Sequence, residues 1–339
     1  MDDEQQQRQP EQQTGLTRRQ LLRTVAGTTL AAAPFALAAE EGEAAAAADA
    51  LPRRVLGKTG VRVPILGFGT AAAGIRRNVA NAVALYNEAI DAGVNYMDTA
   101  PSHTGYGRAQ EQLGHVLKDR RKDVFLVTKT HEARGDDALG LLRRNLKELQ
   151  TDRADLVYVH SLGDMDVDTV VGRGGVLPAL LKAKRDGLTR FVGISGHHRP
   201  GKFLRVLASE YGDQIDVMML AVNFADRHTY DFEGKVLPAA ARKNIGLAAM
   251  KVFGGANWSD KGMSNSMMPS AHHRSAFRYA LSLPRVSVAV IGMATTAEFR
   301  RNLAWARQFK PLGAAERAAL EAPGRALAAK WGAHFGPVA

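Results

Sequence analysis

Asn95-Tyr96-Met97-Asp98-Thr99-Ala100, Val124-Phe125-Leu126-Val127-Thr128-Lys129, Leu156-Val157-Tyr158-Val159-His160 and Phe191-Val192-Gly193-Ile194-Ser195 share one pattern. Each is a short apolar run, rich in β-branched and aromatic residues, that carries a polar residue near its end. Such runs read as strands buried on both faces. Around them the chain alternates strand-like runs with stretches of helical periodicity. Eight such units run from residues 65–70 to residues 286–292, each followed by a helix, in about the length a (β/α)8 TIM barrel needs. The fold class expected is therefore α/β. A β-hairpin over 51–64 precedes the barrel, turning through Gly57-Lys58-Thr59-Gly60, and an extra helix near 314–330 follows it. A doubly wound open sheet would place a Gly-rich phosphate loop after the first strand. The run Gly67-Phe68-Gly69-Thr70-Ala71-Ala72-Ala73-Gly74 lacks the third glycine at that spacing.

In a closed parallel barrel the carboxyl ends of the strands form one rim, where such barrels do chemistry. Asp98, Lys129, His160 and Ser195 fall on that rim. Alone, an Asp–Lys pair reads as a structural ion pair, and a lone histidine as a core residue. An acid, an ammonium and an imidazole at three successive strand ends read instead as a proton-transfer site.

The chain has 339 residues, a formal net charge of +11 and no cysteine. Disulfides and thiolate metal sites are excluded. The charge favours anionic partners or a membrane face. No basic run is interleaved with aromatics, so nucleic acid is not an expected partner. Arg18-Arg19 precede an uncharged stretch over 24–39, and Ala36-Leu37-Ala38 fits a signal-peptidase site. This resembles a twin-arginine (Tat) export signal, too short and alanine-rich for a stable membrane span. The expected organisation is a signal peptide over 1–38, a linker over 39–50 and the barrel over 51–339. The partners implied are the Tat export machinery and a periplasmic or other extracytoplasmic location.

From residue 54 to about 307 the chain resembles the aldo-keto reductase family. The resemblance rests on Arg54-Val55-Leu56-Gly57-Lys58-Thr59-Gly60, Leu66-Gly67-Phe68-Gly69-Thr70, Ala92-Gly93-Val94-Asn95-Tyr96-Met97-Asp98-Thr99-Ala100, Leu126-Val127-Thr128-Lys129, Asp155-Leu156-Val157-Tyr158-Val159-His160, Val192-Gly193-Ile194-Ser195 and Asn302-Leu303. It implies a barrel enzyme that moves hydride between NAD or NADP and a small-molecule carbonyl or alcohol. Asp98, Lys129 and His160 match three of the family's four site residues. The fourth, a tyrosine, falls on His103, while Tyr106 follows three residues later between Gly105 and Gly107. The order of expectation is His103 as the acid, then Tyr106 brought in by its glycine-flanked loop, then a site that binds cofactor and reduces poorly. The resemblance also implies Ser195 and Asn223 at the nicotinamide end, Lys251 on the seventh strand, and Gly292 and Asn302 at the adenosine end. Gly292 and Glu298 stand where NADP-selective members often carry cations, so the preference between NAD and NADP stays open.

His131, His197-His198 and His272-His273 match no metal motif, and no metal is expected. Residues 263–268, with Met263, Met267 and Met268, read as a loop covering the site. Two other classes compete: a cofactor-binding sensor with little turnover, and an aldolase using Lys129 as a Schiff-base amine.

Overall fold

The computed structural model describes residues 50–259 and 262–339. The signal and nearly all of the linker read over 1–50 lie outside them. Strands β1 (Arg53–Val55) and β2 (Arg62–Pro64) pair antiparallel as the expected hairpin. The chain then enters β3 (Leu66–Gly69), β4 (Tyr96–Asp98), β5 (Phe125–Thr130), β6 (Ala154–Val159), β7 (Thr189–Gly196), β8 (Val217–Ala221) and β9 (Gly246–Met250). After a short antiparallel pair, β10 (Ala256–Ser259) and β11 (Gly262–Ser266), it reaches β12 (Val286–Gly292). The barrel closes in the order β12-β3-β4-β5-β6-β7-β8-β9, and every pairing is parallel.

Helices cover the outside by turning one apolar stripe inward. In the helix Gly135–Glu148, Ala138, Leu141, Leu142 and Leu146 recur at helical spacing and are buried, while Asp136 and Asp137 favour its amino end. A second apolar cluster fills the barrel itself. It includes Phe125 and Val127 of β5, Leu156 and Tyr158 of β6, and Leu56 and Val63 of the hairpin. The hairpin residues thus plug the amino end and leave the chemistry to the other rim.

Two local expectations change. The loop expected over 263–268 begins as strand β11, and Met268 is buried. The single helix expected over 314–330 is two, Ala314–Ala318 and Glu321–Trp331. Pro323 accounts for the break. Its ring would collide with the carbonyl of Ala319 in a continuous helix, whereas in the first turn of a new one its missing N–H costs nothing. No helix among the described residues is long and apolar enough to cross a membrane.

Candidate active site

Strand pleat decides which residues reach the site. Tyr96 and Asp98 on β4, Phe125, Val127 and Lys129 on β5, and Leu156, Tyr158 and His160 on and after β6 each share one parity. Those of them that are apolar or aromatic all lie in the inner cluster. Successive side chains alternate faces, so Asp98, Lys129 and His160 inherit the inward direction at the carboxyl rim. Asp98 and Lys129 are 2 % and 1 % exposed, and His160 is 8 % exposed.

Lys129 Nζ donates to Asp98 Oδ1 at 2.7 Å, to the carbonyl of Thr99 at 2.9 Å and to Tyr106 Oη at 3.1 Å. An ammonium has three donors, and all three are met. Tyr106 Oη in turn lies 3.3 Å from Asp98 Oδ2, and its ring packs edge-on to His160 with centroids 6.3 Å apart. The phenol therefore stands between Lys129 and His160. His103 does not. It sits on the exposed 3-10 turn Ser102–Thr104, and the expectation that placed it beside Lys129 is corrected.

The reason is the path of the loop. The turn takes up Ser102, His103 and Thr104, and Gly105 leaves it at φ 87. Gly107 follows at φ 54, and its hypothetical Cβ would meet the Gly74 carbonyl oxygen at 2.7 Å. A Cβ on Gly74 would meet the Tyr106 carbonyl oxygen at 2.2 Å. Only glycine permits this approach, which draws the tyrosine three residues further along into the barrel mouth.

Burial pushes the Tyr106 hydroxyl well above the ordinary tyrosine range, and the Asp98 charge and hydrogen bond add to it. Burial raises Asp98, with Lys129 opposing, and lowers Lys129, with Asp98 opposing. The three-acceptor geometry at Nζ supports the charged pair. That geometry disfavours a Schiff-base role, which needs a free amine. Burial drives His160 well below the usual histidine range, and Lys129, His197, His131 and Lys251 push it the same way. Its Nδ1 is buried without a hydrogen-bond partner among the described residues.

A buried polar ring behind Lys129 was not anticipated. Asn145 Nδ2 donates to the Lys129 carbonyl at 2.9 Å, Gln110 Nε2 to Asn145 Oδ1 at 3.2 Å, and Thr128 Oγ1 to Gln110 Oε1 at 2.8 Å. Asn145 among the leucines of its helix was the available signal, since a buried amide must find partners.

The expected cofactor residues divide. Ser195 is fully buried at the end of β7, and among the described residues its Oγ makes only a long 3.3 Å contact to the Val159 carbonyl. Asn302 is 1 % exposed, and its Oδ1 has no hydrogen-bond partner among the described residues. Asn223 differs from expectation. Its Oδ1 accepts from Ala225 N and Asp226 N, and its Nδ2 donates to Asp226 and to the Lys251 carbonyl. Its amide capacity is full, so it shapes the loop beneath the rim rather than presenting a free amide.

Lys251 follows β9 in the left-handed region at φ 54 and makes no hydrogen bond or ion pair through Nζ among the described residues. Burial and Lys129 lower its pKa, and Asp98 opposes them. Gly292 is exposed, with only ordinary contact available to a Cβ. Glu298 is committed as well. It closes a capping box at the helix Thr296–Arg307, accepting from Ala294 N at 2.7 Å and Thr295 N at 3.1 Å. Arg300 pairs with Glu88 at 2.7 Å.

A closed parallel barrel that brings a half-buried phenol together with a buried ammonium, carboxylate and imidazole at its carboxyl rim defines a barrel oxidoreductase. The chain belongs to the aldo/keto reductase family, whose model matches residues 65–277. It is similar to L-galactose dehydrogenase of Arabidopsis thaliana, at 28% identity over 77% of this chain and 89% of that one. Similarity to D-threo-aldose 1-dehydrogenase of a Pseudomonas species is 27% identity over 57% of this chain and 67% of the relative. Among solved structures, one from Pseudomonas aeruginosa described as an aldo-keto reductase has a TM-score of 0.61 and 29% identity, covering 76% of this chain and 94% of that one.

Proposed function

We propose that this enzyme interconverts a carbonyl and an alcohol with a nicotinamide dinucleotide, using Tyr106 as the proton donor. One observation carries the reading: the Tyr106 hydroxyl lies 3.1 Å from Lys129 Nζ at the rim. In reduction the phenol gives its proton to the carbonyl oxygen while Lys129, accepted by Tyr106, stabilises the phenolate left behind. Neutral His160 donates a second hydrogen bond to that oxygen and holds the developing alkoxide. Asp98 keeps Lys129 charged. The bound nicotinamide supplies or takes the hydride. Ser195 and Asn302 fit as its holders, since the serine hydroxyl is weakly engaged and the asparagine carbonyl is a buried acceptor without a partner among the described residues. The sensor reading rested on a missing acid, and Tyr106 removes that ground. The names of the two relatives, both for sugar dehydrogenation, make aldoses the first substrates to test.

The pH dependence tests the assignment of the acid. A phenol held above its ordinary pKa stays protonated through neutral pH. Reduction needs the protonated form and alcohol oxidation needs the phenolate. Reduction kcat/KM is therefore expected to stay flat between about pH 6 and 9, while oxidation kcat/KM climbs about tenfold per pH unit. An oxidation profile that levels off near neutrality would assign the proton to another group.

Cofactor choice follows from Glu298. Its carboxylate occupies a helix amino terminus that would otherwise attract a phosphate. NADPH is therefore expected not to be strongly preferred over NADH. Glu298→Gln keeps the cap's acceptor oxygen and removes the charge. It is expected to move the ratio of dissociation constants toward NADPH by about tenfold. A wild type that already favours NADPH more than about a thousandfold would refute this.

Export is a further part of the proposal, carried by Arg18-Arg19 and the uncharged stretch after them. Changing both arginines to lysine is expected to keep the precursor in the cytoplasm. Equal periplasmic yield from the Lys-Lys variant would end the export reading.

A further inference from the structure

The loop after β9 and the last residues of the chain meet through ring-on-glycine contacts. Gly254 and Gly255 both have φ 77. A Cβ on Gly254 would lie 2.6 Å from the Trp331 indole, and one on Gly255 would lie 3.1 Å from the Phe335 ring. Side chains at these positions would displace both rings, so the two glycines form a seat for them. Trp331 ends the helix Glu321–Trp331, and the backbone beyond it is held by Tyr230. That hydroxyl accepts from Phe335 N at 2.7 Å and donates to the Gly336 carbonyl at 3.1 Å. On the other side Phe335 packs 5.4 Å from the His197 ring, beyond the end of β7. His334 lies 3.7 Å from Asp226, the residue that holds Asn223 after β8. Residues 331–336 therefore cross from the end of β7, over the end of β8, to the loop after β9.

That span matters because of strand order. Barrel neighbours run β7-β8-β9-β12. Ser195 is on β7, and Asn302 is on the helix that follows β12. A dinucleotide held by both must cross the ends of β8 and β9, which residues 331–336 cover. We propose that residues 331–336 are a latch on the dinucleotide site, with Trp331 and Phe335 seated on Gly254 and Gly255 and Tyr230 as its catch. Nucleotide leaves when the latch lifts. Lifting breaks both Tyr230 hydrogen bonds and bares two aromatic faces, so release is slow compared with a barrel whose rim is open. This rests on the nicotinamide reading above and adds to it a determinant of residence time.

The experiment uses the full-length protein loaded with NADPH. Nucleotide release is followed by stopped-flow fluorescence after mixing with excess unlabelled NADP, and binding is measured separately by titration. Tyr230→Phe keeps the ring and removes the catch, and it is expected to speed release by at least about tenfold. The double variant Trp331→Ala/Phe335→Ala is expected to speed it further, and both should weaken binding. Release within twofold of wild type in both variants would overturn the latch. So would tighter binding by the double variant, because the segment would then compete with the nucleotide. A wild type that binds neither NADPH nor NADH would fail at the titration, before any release is measured. That result sinks the nicotinamide reading itself, and the latch with it.

Discussion

Tyr106→Phe is expected to lower carbonyl reduction by about a thousandfold or more while nucleotide binding stays within a few-fold of wild type. The phenol is the hydroxyl group in contact with both Lys129 and Asp98, and the substitution removes that hydroxyl alone. His103→Ala is the control. The imidazole is exposed on its turn, so its loss should change kcat/KM by less than about threefold, the scale of an ordinary surface substitution. The two variants separate the readings that the local sequence leaves open. Full activity in Tyr106→Phe together with loss in His103→Ala would mean that the loop adopts another path in the working enzyme. Equal loss in both would point to the loop as a unit.

The next largest effect is expected at the buried ion pair. Asp98→Leu leaves the Lys129 ammonium 1 % exposed with its carboxylate gone. Breaking one side of such a pair costs about 3–5 kcal/mol, because the remaining charge stays desolvated. Urea unfolding should therefore show a large fall in midpoint with little change in slope. Adding Lys129→Met removes the stranded charge and is expected to restore most of the lost stability, since apolar replacements of a buried pair are often neutral or better. Activity should not return, because nothing then stabilises the Tyr106 phenolate. A double variant as unstable as Asp98→Leu would show that the cost lies in packing rather than in charge. An active double variant would remove Lys129 from the chemistry.

Much of this site was legible from period-two alternation. Asp98, Lys129 and His160 share parity with the inward apolar residues of their own strands, a property written within six or so consecutive residues. Strand ends on one rim follow once the barrel closes. Ser195 shares that parity on its own strand, whereas Asn302, on the helix Thr296–Arg307, came from the family resemblance. Asn223 was placed on its element, but its hydrogen bonds were not readable. Its partners Ala225, Asp226 and Lys251 are supplied by the loops after two neighbouring strands. Glu298 illustrates a middle case. The Thr295–Glu298 spacing of a capping box is visible in the sequence, and its meaning for cofactor choice depends on where that helix begins relative to the rim.

The sequence by itself determined the barrel, its closed rim and three of the four residues that meet there, because strand pleat and helix period are local and repeat along the chain. The tertiary structure alone decided which of the two candidate acids stands beside Lys129. Counting along the chain favours His103, yet a 3-10 turn takes up that residue, and the contact of Gly107 with Gly74 turns Tyr106 inward. The same holds for the seating of Trp331 and Phe335 on Gly254 and Gly255. Both outcomes depend on backbone from separate segments approaching within van der Waals distance. Such an approach leaves glycines in the sequence but does not say what they meet.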